Sequence, residues 1–260
     1  MSVSVTVWVV TCVVILGLFV FDFYAHVRVP HEPTFRESAI WSSVYIGLAA
    51  VFGLVVWWLW GGEFAGEYFA GYVTEKALSV DNLFVFTVIM STFAVPREFQ
   101  QKLLLIGIVM ALVMRAAFIA VGAAAISTFS WVFYIFGIFL VLTAAKLARE
   151  AGHEKEVEEE RDSRIIALVK RFVTTTDDYD GDRFLTKIDG KRAVTPMLLA
   201  LIAIGFTDLL FALDSIPAIY GLTEQPYIVF TANAFALMGL RQLYFLIGGL
   251  LDRLVYLSYG

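Results

Sequence analysis

Seven apolar runs divide the chain: Val3 to Phe21, Ala39 to Trp60, Phe64 to Val95, Leu103 to Ile126, Thr128 to Ala145, Pro196 to Tyr220 and Pro226 to Leu251. Each approaches or exceeds the roughly 20 residues that a helix needs to cross a hydrocarbon core of about 30 Å. The pattern predicts an all-α polytopic membrane protein with at least seven transmembrane helices. The first run has the length of a signal peptide, but no Lys or Arg precedes it and no A-x-A-like cleavage site follows. It reads as a retained helix. Trp57, Trp58 and Trp60 close the second run, where indole rings favour the membrane interface.

Composition supports this picture. The 260 residues are 60% hydrophobic and 17% charged, with mean hydropathy +0.79. A soluble domain is about 45–50% apolar and about 25% charged, so a disordered chain, a fibrous one and an ordinary soluble enzyme are excluded. One cysteine, Cys12, leaves no disulfide framework and no cysteine zinc site, and three histidines leave little for a His-rich metal centre. Any metal would be held by oxygen.

Lys and Arg in short cytoplasmic connections set orientation. Arg28 and Arg36 follow the first run, Arg97 and Lys102 join the third and fourth, ten Lys/Arg lie from Arg149 to Arg192, and Arg253 follows the seventh. The intervening connections have none. The N-terminus is therefore expected outside and the loop 148–195 in the cytoplasm. That loop holds 22 of the 43 charged residues. Its first half reads as a helical extension with an amphipathic stretch at Ile165, Leu168, Val169 and Phe172, and Arg183 to Val194 reads as a small hairpin turning at Asp189-Gly190. Asp178, Asp180, Asp182 and Asp189 fall at positions 1, 3, 5 and 12 of a calcium loop, but Arg183 occupies the position that needs Gly. A solvated loop is the better reading.

With interfacial and loop charges set aside, seven charged residues remain inside the runs: Glu75, Lys76, Asp81, Arg115, Asp208, Asp214 and Arg241. Each costs about 2.5–3.5 kcal/mol at a helix centre, so the four carboxylates demand on the order of 10 kcal/mol of compensation. Their spacing repeats. In Thr74-Glu75 to Asp81-Asn82 and in Thr207-Asp208 to Asp214-Ser215 the acids stand six apart, with Thr before the first and a small polar residue after the second. One run later, Met114-Arg115 to Gly122 lines up with Leu240-Arg241 to Gly248.

Three spans separate the copies, so the second is inserted upside down. The repeats are expected at about 64–147 and, incompletely, 196–260. Inverted three-helix repeats with broken helices at their interface build transporters whose ions bind near the midplane. Acids at i and i+6 lie about 120° apart around an unbroken helix and about 9 Å apart along it. Unwinding at Gly71, Gly205 or Pro217 is expected to bring them together and free carbonyls as ligands.

The acids with Asn82, Ser215, Thr74 and Thr207 form an oxygen set suited to Mg²⁺, Ca²⁺ or Mn²⁺. The competing reading is a structural network in which Lys76, Arg115 and Arg241 neutralise three of the acids.

At these residues the sequence resembles the TerC family of integral membrane proteins, associated with tellurium resistance and including Alx-type manganese exporters. The resemblance runs through Asp22, His26 and Pro30-His31-Glu32, Glu75 to Phe84, Tyr179 to Phe184, Gly190-Lys191-Arg192, and Asp208 to Pro217. It implies export of Mn²⁺ from the cytosol across the cell membrane, with Glu75, Asp81, Asp208 and Asp214 as the cation-binding carboxylates. Asp180 stands where the family often has His. The chain ends at Gly260 where the family continues into one or two more spans, so it is expected to be a piece of a longer protein.

Moving a divalent cation out against an inside-negative potential costs about 2 × 2.3 kcal/mol per 100 mV. Protons are the expected counter-ion, since carboxylates protonated from outside release metal and deprotonated toward the cytosol rebind it. Ca²⁺ fits the same ligand chemistry. Expected partners are the bilayer, the cation and soluble proteins met by the loop, with no nucleic acid and no organic cofactor. A non-transporting scaffold is the alternative, and an intramembrane enzyme ranks last because no catalytic arrangement is visible.

Overall fold

The computed structural model describes residues 1–28, 31–129, 179–188 and 191–258, with scattered positions between 131 and 142. The side chains of Asp81 and Asp214 are not among those described, although both residues are helical. Helix α1, Val5–Asp22, starts on a Ser4 cap, whose hydroxyl accepts from Val7 N at 3.3 Å, and continues into one π turn, Phe23–Val27. Helix α2, Phe35–Trp60, is capped by Thr34, which accepts from Glu37 N at 3.2 Å. It reverses at Gly61, whose φ of +95° is open to glycine, into α3, Gly62–Thr92.

Helix α4 covers Arg97–Thr128 and follows Pro96. Strands β1, Leu185–Ile188, and β2, Lys191–Val194, pair antiparallel with Leu185 opposite Val194. Helices α5, Pro196–Tyr220, and α6, Pro226–Leu237, each begin with proline in the first turn, where its missing N–H costs nothing. Helix α7 is Leu240–Ser258.

Among the described residues, five segments are long and apolar enough to cross a membrane: Val5–Val27, Phe35–Trp60, Arg97–Thr128, Pro196–Tyr220 and Pro226–Leu250. They match the first, second, fourth, sixth and seventh expected runs. The third run is one helix of 31 residues, about 46 Å long at 1.5 Å per residue, and it carries the charges of the first motif. The fifth run, 128–145, the helical extension and Asp177, Asp178 and Asp189 of the loop lie mostly or wholly outside the described residues.

Contacts fix the relative directions. Thr11 bonds Tyr227 at 2.8 Å and Asp22 bonds Arg241 at 2.7 Å, so α1 runs with α6 and α7. Glu67 meets Thr223 and Lys76 meets Ala236, so α3 runs with them too. Arg115 meets Asp208 and Ile119 meets Tyr220, so α4 runs with α5. The hairpin sits at the end where α3 turns into α4: Tyr179 Oη donates to Phe93 O at 2.7 Å, and Lys102 Nζ donates to Asp182 Oδ2 at 2.6 Å. At the same end Gln101 donates to His31 O at 2.7 Å. The described basic connections thus share one end of the bundle.

The expected unwinding beside the acid motifs does not occur. Both α3 and α5 run through without interruption. A Cβ on Gly71 would stand 3.2 Å from Ala232 Cβ, and one on Gly205 would strike Met110 Cε. These glycines serve close helix packing instead of a break. Pro217 lies in the last turn of α5, where it costs one hydrogen bond, and its own carbonyl accepts from Gly221 N at 3.0 Å. The interruption falls in the last run, at Met238-Gly239, where Gly239 has φ +76° and a Cβ would lie 2.9 Å from Tyr45 Cβ.

Candidate metal-handling site

Arg115 sits in the middle of α4 with no exposed surface, and its guanidinium gathers the first acid of each motif. Nη1 donates to Glu75 Oε1 of α3, while Nε and Nη2 donate to Asp208 Oδ2 and Oδ1 of α5 at 3.2 and 2.9 Å. Ser215 Oγ lies 3.3 Å from Nη1. Glu75 and Asp208 are as buried as the arginine. Planar, bidentate recognition of carboxylate is what a guanidinium provides and an ammonium does not. Two carboxylates share one cation, and Glu75 Oε2 has no partner among the described residues. The charge is therefore under-compensated where the motifs meet.

Lys76 plays a different part from the expected neutraliser. Its Nζ donates to the carbonyls of Ala236 at 2.9 Å and Met238 at 3.2 Å, capping the C-terminal end of α6 at the interruption. Among the described residues, Arg241 meets neither Glu75 nor Asp208. It donates to Asp22 Oδ1 at 2.7 Å and to Gln101 Oε1. Among the described side chains, Arg115 is the charge partner that holds motif acids.

Around this cluster Ser79, Asn82, Thr207 and Ser215 are buried and Thr74 is half-buried. Glu75 and Asp208 come together, whereas Asp81 and Asp214 occupy the next turns of α3 and α5. Among the described residues, no three His, Cys, Asp or Glu side chains converge as a metal cage.

Sequence reasoning gave several buried polar residues no role of their own. Asp22, named above only within the family resemblance, is 6% exposed, with Tyr45 donating to it at 2.8 Å and Gln242 at 3.0 Å. Asn233 in α6 is fully buried with neither amide atom partnered among the described residues. A lone Asn inside an apolar run was the available signal. In the loop, Lys102 donates to Asp182 and holds its carboxyl below the usual carboxylate range. Asp180 accepts from Thr186 at 2.7 Å. Burial pushes the Tyr179 phenol up to about 12.

Apolar spanning helices around a buried charged cluster define a multi-pass helical integral membrane protein. The profile of the Integral membrane protein TerC family matches residues 60–260, and the chain belongs to that family. An uncharacterized membrane protein of Mycobacterium tuberculosis is 55% identical over 261 residues, covering 100% of this chain and 66% of the relative. One from Myxococcus xanthus is 40% identical, covering 95% and 76%. The putative membrane-bound redox modulator Alx of Escherichia coli K12 is 36% identical, covering 90% and 74%. The chain thus spans under two thirds of the length of the mycobacterial relatives. No solved structure matches it.

Proposed function

We propose that the chain is the core of a transporter that exports divalent cations, Mn²⁺ foremost, from the cytosol by alternating access coupled to protons. The observation that carries this reading is Arg115 holding Glu75 and Asp208, one acid from each motif, deep between α3, α4 and α5. A structural ion pair needs one acid. Two on one guanidinium, with a carboxylate oxygen left over, leave room for a second cation, and Mn²⁺ as substrate would use those oxygens with Asp81, Asp214, Asn82, Ser215, Thr74 and Thr207. Ca²⁺ suits the same donors and differs in coordination number.

Packing supports an inverted repeat. A half-turn exchanging α3 with α5 and α4 with α6–α7 carries the α3–α6 contact onto the α5–α4 contact. Gly71 against Ala232 is then matched, one residue out of exact register, by Ile204 against Gly107. The shared end of the basic connections supports a cytoplasmic hairpin and an outside N-terminus. Residues 1–260 carry one thiol, Cys12, so no dithiol chemistry is assigned to them.

The test is Mn²⁺ uptake into inside-out membrane vesicles with simultaneous recording of luminal pH. Uptake with proton release, lost in Asp81→Asn and Asp214→Asn proteins that insert normally, supports the reading. Unchanged metal handling in those variants favours a scaffold, and faster Ca²⁺ than Mn²⁺ uptake reassigns the substrate.

A further inference from the structure

A second buried polar cluster lies at the hairpin end of the bundle, on elements other than those that hold Glu75 and Asp208. Asp22 Oδ1 accepts from Tyr45 of α2, Arg241 and Gln242 of α7, and lies 3.2 Å from His26 Nδ1 of its own turn. That last approach is close enough for attraction but is not aligned as a hydrogen bond. Gln101 of α4 joins through Arg241. His26 Nδ1, Ser38 Oγ, Arg241 Nε and Gln242 Oε1 are all buried without a partner among the described residues. These four residues line one cavity together with Glu37. Its volume of about 10 Å³ is about the space one water needs, and its polar atoms are the partners such a water requires. Glu37 is part-exposed and lies 3.4 Å from His31, which itself faces solvent.

We propose that Asp22 and His26 form a proton-binding site, reached from the hairpin-end surface through Glu37 and one water, whose charge state decides whether Arg241 holds α7. This rests on the proton-coupled reading above. A proton moves from Glu37 through the water to His26 Nδ1. The imidazolium so formed carries its positive charge 3.2 Å from Asp22 Oδ1 and competes with Arg241 for that carboxylate. Arg241 then shares its anion with a second cation, which weakens the charge-assisted bond that fastens α7 to α1. Arg241 stands two residues beyond Gly239, the one positive-φ position between α6 and α7. Tyr244, Ile247 and Gly248 of α7 wall a cavity of about 730 Å³ opposite Phe84 and Thr87 of α3. Release of Arg241 therefore frees the wall of the cavity at the hairpin end. The charged and titratable groups that bear on Asp22 are His26, Tyr45 and Arg241, with Glu37 across the water.

The test uses the full-length protein in liposomes. In a Cys12→Ser background, spin labels at Ile40→Cys on α2 and Leu250→Cys on α7, both exposed, report the distance between the helices at neutral and mildly acidic pH. The distance should change on acidification and be fixed at its acid value in Asp22→Asn. A pH-independent distance without the mutation, or an Asp22→Asn protein that still follows pH, overturns the proposal. In parallel, Asp22→Asn should move Mn²⁺ down its gradient while losing the accompanying proton flux, and retained proton flux is equally fatal. Should Asp22→Asn fail to fold, His26→Gln replaces it with the same expected losses. A protein that moves no Mn²⁺ before any substitution sinks the transporter reading, and the distance measurement still decides the proton site.

Discussion

Arg115 meets Asp208 side-on across α4 and α5, with Nε to Oδ2 at 3.2 Å and Nη2 to Oδ1 at 2.9 Å. Both side chains are essentially without exposed surface. Removing the guanidinium strands buried carboxylates, which costs about 3–5 kcal/mol. Arg115→Met should therefore lower the thermal midpoint in detergent markedly. Arg115→Lys should recover only part of the loss, because an ammonium cannot reproduce the two parallel bonds.

The two acids on Arg115 carry both roles at once. Glu75→Gln and Asp208→Asn weaken both the arginine pair and cation binding, so stability and Mn²⁺ transport should fall together. If either leaves Mn²⁺ accumulation in cells unchanged, the cluster is structural.

Lys76 caps α6 where that helix stops. Lys76→Met leaves the carbonyls of Ala236 and Met238 without their donor, a cost of about 1–3 kcal/mol for buried acceptors. Faster amide hydrogen exchange confined to the last turn of α6 and the start of α7 is the expected signature.

Gly239→Ala should cost about 1–2 kcal/mol for the left-handed backbone alone, and more from the approach to Tyr45 Cβ at 2.9 Å. Thermal unfolding measures it. Tyr45 is a poor site for relief, since its hydroxyl also serves Asp22.

The Lys102 tether to the hairpin depends on an ionised Asp182. Its carboxyl is held low by the lysine, so the tether is complete above the ordinary carboxylate range and gives way as pH falls through the lowered value. The pair is part-exposed, so its contribution is under about 1 kcal/mol. Trypsin cleavage after Arg183 should speed up in high salt at neutral pH, and Lys102→Met should remove that salt dependence.

Much of the bundle was legible because apolar length is a direct requirement of the bilayer. The runs ending at Trp60 and Tyr220 agree with helix ends to the residue. The acid motifs were legible because charge in an apolar run has no cheap alternative explanation. The helix break was misplaced for a physical reason. Gly71 and Gly205 carry the same sequence signal whether they loosen a helix or let two helices touch, and only the neighbours Ala232 and Met110 decide which. Gly239 gave no stronger signal, since its positive φ depends on the fit against Tyr45. Asp22 was legible only through the family resemblance, because its partners Tyr45, Arg241 and Gln242 come from distant parts of the chain. The described partners of Lys76 and Arg241, two carbonyls and Asp22, could not be read in advance because sequence spacing reports charge and not direction.

Glu75 and Lys76 are neighbours in sequence but point about 100° apart around α3, one engaging α4 and the other the end of α6. The helix works as a camshaft carrying two lobes. A twist of α3 that withdrew the carboxylate from Arg115 would also pull the ammonium off the stub of α6. Emptying the deep cluster and loosening the hinge would then be one mechanical event, with no relay of contacts between them.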